Sequence, residues 1–234
     1  MTTPTTTLKL MSTMALRSVL KDVIPDFEKQ AGVTVEISYG ATAKLIERIR
    51  AGARGDLVIA VAGSINELEA EDILQRGTRV DLVTSDVAMA VKQGAPAPDI
   101  STQEAFIATL RASRSFVFSK QGASGMYFAS LLKRLGIDEE LRPKATVLAE
   151  GLTGELVARG EIELAVQQMS ELMQVSGINI FAKLPPAVQQ STTFSIGIFK
   201  DPTKPDVISA FNAFMRTPAV TAVYKRQGLD PITR

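Results

Sequence analysis

The sequence predicts an α/β protein whose strands lie mainly parallel, and three observations predict it. Strand-like runs are each followed by a small-residue turn and a helix-period pattern, and this unit recurs three times before Gln75. The third run, DLVIAV (56–61), is almost wholly apolar, as befits a strand buried on both faces. Beyond residue 84 a second series follows the same order of strand, small or polar turn, and helix. Such alternation implies parallel pairing through right-handed crossovers.

The elements follow in order. TLKLM (7–11) alternates as a strand, with Ser12, Thr13 and Met14 as its turn. In ALRSVLKDVIPDFEKQAG (15–32), Leu16, Val19, Leu20, Val23, Ile24 and Phe27 fall on one helical face, and Gly32 supplies the stop. VTVEISY (33–39) is the next strand, Gly40, Ala41 and Thr42 its turn with Thr42 as the expected N-cap, and AKLIERIRAG (43–52) its helix. Ala62, Gly63 and Ser64 form the turn after DLVIAV, before the helix INELEAEDIL (65–74). In the second series Val87, Met89 and Val91 mark a strand, TQEAFIATLRAS (102–113) a helix, and SFVFS (115–119) a strand. KQGASG (120–125) is its turn and MYFASLLKRLG (126–136) its helix. The Gly151–Gly154 stretch is a further turn before ELVARG (155–160), and IELAVQQ (162–168) a strand before MSELMQ. STTFSIGIFK (191–200) is a strand, and residues 204–228 give one or two helices broken by Pro218.

The tail is expected to pack back on the first sheet. That gives two α/β lobes, residues 1–84 plus 193–234 and residues 85–192, with a ligand expected in the cleft between them. In sheets of this kind ligands bind beyond the carboxyl ends of the strands, and the small-residue turns fall at that edge.

Composition narrows the chemistry. Hydrophobic residues are 45 % and charged residues 22 % of the 234, and 26 basic against 25 acidic residues give a net charge of +1. That balance, with no basic cluster, argues against a nucleic-acid partner. Cysteine and histidine are both absent. Disulfides, thiolate metal sites, Ser-His-Asp triads and Cys-His nucleophiles are therefore excluded, and an acid or base must be Asp, Glu, Lys or Tyr. No metal or cofactor is expected. No apolar run reaches the ~18–20 residues of a membrane span. The opening MTTPTTTLKL lacks a charged and an apolar signal region, so a cytoplasmic location is expected unless a signal has been removed, in which case a periplasmic one is.

The segments Ser12–Leu16, FEKQAGVTVEISYGATAKLIERIRAGARGDLVIA, SKQGASGMYFASLLKRLG, LVARGEIELAVQQMSEL and PAVTAVYKRQGLDP stand in an order and spacing that resemble the periplasmic molybdate-binding proteins of ABC importers. The resemblance runs nearly end to end and extends to the wider type II substrate-binding proteins, a group that also includes aconitate isomerases. It implies a two-lobed Venus-flytrap fold, each lobe a mainly parallel sheet flanked by helices. It also implies a monomer, possible association with ABC importer membrane subunits, and a small anion held by turn N–H groups and hydroxyls. Carried over by position, the ligand residues are Ser12, Thr13 and Ala15; Gly40, Ala41 and Thr42; Gly63; Ala123 and Ser124; Gly151 and Thr153; and Gln168. Ala15 and Thr42 stand where the family pattern carries serines, and Gln168 where it carries a tyrosine.

Three functions follow from these readings. One is a non-catalytic solute-binding protein for an oxyanion or small carboxylate. The second is an isomerase shifting a proton within an unsaturated tricarboxylate, with Lys120, Glu171 or Tyr127 as acid or base and Arg17 and Lys44 as further cations. The third is a cytoplasmic ligand-sensing protein. Outside such roles, Arg17, Lys44 and Glu171 are expected as surface charges.

Overall fold

The structure, a computed structural model, describes residues 6–232. It divides into two compact units: the residues up to Thr84 together with those from Thr193, and Ser85–Thr192. Residues 1–5 and 233–234, which belong to the expected first lobe, lie outside the described residues.

The first unit opens with β1 (Thr7–Thr13), which runs two residues past the expected strand, so Ser12 and Thr13 end the strand rather than form a turn. A single 3-10 turn (Met14–Leu16) leads into α1 (Arg17–Ala31). Its apolar stripe, Val19, Leu20, Val23, Ile24 and Phe27, is buried as the spacing requires. Gly32 ends it in the left-handed region at φ 65°, its N–H donating to Glu28 O. β2 (Thr34–Gly40) pairs in parallel with β1 so that Thr13 stands opposite Gly40. α2 (Thr42–Arg50) follows with Ala41, not Thr42, at the N-cap and with no side-chain capping bond. The backbone turns one residue earlier than the hydroxyl suggested. β3 (Leu57–Val61) lies on the other side of β1, also parallel. α3 (Ala62–Ala70) starts with no intervening turn, so Ala62, Gly63 and Ser64 are already helical. β4 (Val80–Lys92) carries the chain across the boundary at Thr84.

The second unit continues with α4 (Gln103–Ala112), capped by the Thr102 hydroxyl, which accepts from Ala105 N at 3.1 Å. β5 (Phe116–Ser119), α5 (Ala123–Arg134), the short α6 (Asp138–Leu141), β6 (Ala145–Leu148) and α7 (Thr153–Ala158) follow. Then come β7 (Leu164–Gln168), the one-turn α8 (Met169–Leu172) and β8 (Ile178–Lys183). β5 pairs in parallel with β6 and β7, while β7 and β8 run antiparallel to β4. The core centres on Phe106, Phe116, Phe118 and Phe128, with Phe118 and Phe128 at 5.3 Å between ring centroids.

β9 (Ser191–Ile198) returns the chain to the first unit and pairs antiparallel with β3. This strand enters without a crossover helix, so nothing forces it parallel. α9 (Pro205–Phe214) and α10 (Pro218–Arg226) complete the layer over α1, and β10 (Asp230–Pro231) pairs antiparallel with Val83 and Thr84. Pro218 is the first residue of α10, where its missing N–H costs nothing, and Thr217 caps that helix. Phe27 meets Phe211 edge-on at 5.1 Å and Phe214 at 5.3 Å. Burying Phe27 contributes about 2–3 kcal/mol. At the opposite end of the sheet, buried Asp56 accepts from Lys9 N at 2.7 Å and pairs with Lys204 Nζ at 2.9 Å, tying β1, the start of β3 and the approach to α9 together.

Candidate functional site

Parallel strands joined by helical crossovers place every helix N-terminus at the carboxyl edge of the sheet. In the first unit this edge gathers the ends of β1, β2 and β3, and with them Ser12, Thr13, Ala15, Gly40, Ala41, Thr42 and Gly63. Ser12 is fully buried and its hydroxyl donates to Thr13 O at 3.1 Å. Thr13 is buried too, and its hydroxyl has no partner. A buried hydroxyl left unsatisfied costs about 1–3 kcal/mol, so an unpaired one at this edge calls for a reason. Thr42 is buried in the first turn of α2, whose leading N–H groups have no intrahelical acceptor. Gly63 is exposed in α3, and a Cβ there would touch nothing within 4 Å. Glycine is therefore not required at that position. Arg17 is exposed in the first turn of α1, close enough to Tyr39 to oppose the rise in phenol pKa that burial causes.

The second unit presents the ends of β5, β6 and β7. Ala123 and Ser124 open α5, and Ser124 is fully buried with its hydroxyl unpartnered. Ser119, the last residue of β5, and Ser170 in α8 are buried with unpartnered hydroxyls as well. Neither was singled out from sequence; for Ser119 the available signal was a serine ending an apolar strand directly before a glycine-rich turn. Gly151 is exposed at φ 101°, a conformation that favours glycine.

Two residues expected as ligands have their polar atoms committed elsewhere. The N–H and hydroxyl of Thr153 both donate to Gln167 Oε1, at 2.8 Å each, which fixes the start of α7 on β7. The Gln168 side chain is buried, and its amide fits its surroundings with the oxygen accepting from Thr192 Oγ1 at 2.8 Å and the nitrogen donating to Ser85 O at 3.0 Å and Asp86 O at 3.2 Å. Gln168 thus ties β7 to the segments at both ends of its unit.

Among the acid–base candidates, Tyr127 donates its hydroxyl proton to Val188 O at 2.6 Å and accepts from Arg134. Lys120 is exposed. Glu171, expected at the surface, is instead buried at 7 % exposure. Burial pushes its carboxyl up to about 7, against hydrogen bonds from the Gln168 backbone and the Gln167 side chain that lower it. With Gln168 as N-cap and Glu171 three residues on, the contact to the Gln168 backbone has the geometry of a capping box. Thr153, Gln167, Glu171 and Gln168 therefore form one buried polar chain beneath α7 and α8. Among the described residues no group of three or more acidic, His or Cys side chains could hold a metal ion, and no helix is long and apolar enough to cross a membrane.

Known proteins share this frame. The chain is 34 % identical to an aconitate isomerase of a Pseudomonas species, over 98 % of this chain and 89 % of that one. It is 23 % identical to the molybdate-binding protein ModA of Escherichia coli, over 92 % and 85 %. Its fold superposes on the periplasmic molybdate-binding protein of Azotobacter vinelandii with a TM-score of 0.77 at 19 % identity, covering 97 % of this chain and 99 % of that one. For the sulfate-binding protein SubI of Mycobacterium tuberculosis the TM-score is 0.79 at 18 % identity, covering 97 % and 87 %. The model of the bacterial extracellular solute-binding proteins matches residues 8–230, nearly the whole described chain, and the protein belongs to that family.

Proposed function

We propose that the protein is a solute-binding protein for a small anion, held by uncharged donors at the carboxyl edges of its sheets and delivered to the membrane subunits of an importer. The carrying observation is the set of buried, unpartnered hydroxyls at those edges, Thr13 in one unit and Ser124 in the other, beside helix N-terminal N–H groups. Neutral N–H and O–H groups bind an anion through charge-assisted hydrogen bonds without a fixed cation. Membership of an extracellular family and relatives named for molybdate and sulfate binding support the reading and a periplasmic location. Thermal unfolding with molybdate, tungstate, sulfate and small carboxylates tests it. A ligand at ~100 Kd raises stability by about 2.7 kcal/mol, and no shift with any anion removes the proposal.

A second reading, an isomerase of unsaturated tricarboxylates, is favoured by the 34 % relative and by Glu171. In a chain without histidine, a buried carboxyl titrating near 7 suits proton transfer at neutral pH. Proton NMR of cis- and trans-aconitate incubated with the protein in D2O tests it. No interconversion above the uncatalysed rate ends this reading while leaving the first intact.

A further inference from the structure

Resting on the anion-binding reading, we propose that Met126 is a reversible oxidation site whose sulfoxide occupies the N-terminal donors of α5, so that peroxide lowers the affinity of the protein for its anion.

The methionines of this chain are sorted by position. Met11, Met89 and Met215 are core residues at 4 % exposure or less. Met126 and Met173 are exposed, at 41 % and 43 %, and Met14 and Met169 are half-buried. Met14 follows β1, Met126 lies in the first turn of α5 after β5, and Met169 and Met173 begin and cap α8 after β7. Among the described residues, every methionine that meets solvent therefore stands at a carboxyl edge, where the ligand is expected. Cysteine is absent, so no thiol of the chain competes with these thioethers for an oxidant.

The reaction with hydrogen peroxide is a two-electron oxygen transfer. The sulfur lone pair attacks one peroxide oxygen, an S–O bond forms and the O–O bond breaks. Sulfur is oxidised and the peroxide reduced. The departing hydroxide takes the proton from the new S–OH group and leaves as water. The product is a polar sulfoxide, which methionine sulfoxide reductases return to the thioether.

Met126 is placed for that change to matter. Its N–H is the first in α5 with an intrahelical acceptor, Gly122 O at 3.0 Å. The N–H groups of Ala123, Ser124 and Gly125 are left for another acceptor. Ser124 adds a buried hydroxyl without a partner in the same turn. Helical side chains lean toward the helix N-terminus and cover the preceding turn, which puts Met126 over these donors. As a thioether it is a weak acceptor and leaves them to an anion. As a sulfoxide it carries a polar oxygen that the helix dipole favours at this end. That oxygen competes with the ligand at a concentration set by its tether. Met173 is an internal control. It is equally exposed but ends its helix, where free carbonyls offer a sulfoxide oxygen no donor.

The test uses the full chain and calorimetric titration with molybdate, tungstate, sulfate, succinate and citrate before and after hydrogen peroxide. Peptide mass spectrometry should find oxygen first on Met126 and Met173, with Met11, Met89 and Met215 unmodified in the folded protein. Affinity for the anion that binds should fall roughly 10-fold, as loss of one charge-assisted hydrogen bond does. Methionine sulfoxide reductases A and B should restore it. Met126→Leu should hold its own untreated affinity after peroxide, whereas Met173→Leu should lose affinity as wild type does. Oxidation of the core methionines as early as Met126 overturns the proposal, and so does unchanged affinity once Met126 is oxidised. An equal loss in Met126→Leu overturns it as well. All three results leave the anion-binding reading standing. If none of the five anions binds the untreated protein or shifts its thermal unfolding, that reading falls and takes this proposal with it.

Discussion

Glu171→Gln isolates the consequence of burying a carboxyl within α8. In the folded chain burial raises its pKa to about 7, against 4.5 for the free group. The shift is upward for an acid, so the folded state holds the proton after the unfolded chain has released it. Stability contributed by this group is therefore fully present below 4.5 and is lost as the pH rises through about 7. A carboxyl raised from 4.5 to about 7 corresponds, by linkage, to about 3 kcal/mol. The glutamine variant keeps an oxygen to accept from Gln167 and the Gln168 backbone but carries no proton equilibrium. Urea unfolding of both proteins from about pH 4.5 to about pH 8 reads the difference, and every other titration shared by the two cancels. Glutamine should gain about 3 kcal/mol on wild type across that range, most steeply between about pH 5 and about pH 7. A gap that changes by less than about 1 kcal/mol would mean that the carboxyl ionises without penalty, and the desolvation argument would be refuted.

Other perturbations follow from single contacts. Asp56→Ala removes the acceptor of both Lys9 N and Lys204 Nζ and should cost about 3 kcal/mol by urea unfolding. Gly125→Ala puts a methyl 1.7 Å from Ser119 O and should lower stability by about 3 kcal/mol or prevent folding, read by circular dichroism and melting temperature. Thr153→Val deletes the hydroxyl bond to Gln167 and should cost about 1–2 kcal/mol while leaving anion affinity within about 3-fold of wild type, because that hydroxyl already serves the fold.

Most of the frame was legible because it rests on periodicity. The α1 stripe, the apolar β3 and β5 and the glycine after α1 all read directly from residue spacing. The strands that escaped are short and only partly buried. β6 has Val147 pointing to solvent at 51 % exposure, and β8 alternates weakly, so neither carries a clear period-two signal. Turn positions shifted by one to three residues because small residues such as Ala62 and Gly63 suit a loop and a helix start equally. In the site, residue types were readable but hydrogen-bond commitments were not. Thr153 and Ser124 look alike in sequence, yet one hydroxyl is bound to Gln167 and the other is unpartnered. Glu171 looked like a surface charge because a glutamate in a short helical stretch carries no sign in sequence of how deeply that turn is buried.

The division of the chain at Thr84 and Thr193 bears on how the molecule comes into being. Residues 85–192 form one uninterrupted stretch, whereas the other unit is split around it. As synthesis proceeds, β3 emerges long before β9, its antiparallel neighbour, and Phe27 waits for Phe211 and Phe214. The inserted half has all its own strands and helices as soon as it leaves the ribosome, and the enclosing half can close only when nearly the whole polypeptide has been made. A nascent chain stalled short of β9 would thus expose one finished globule and one apolar, unpaired sheet edge, the state in which a holdase chaperone has most to protect.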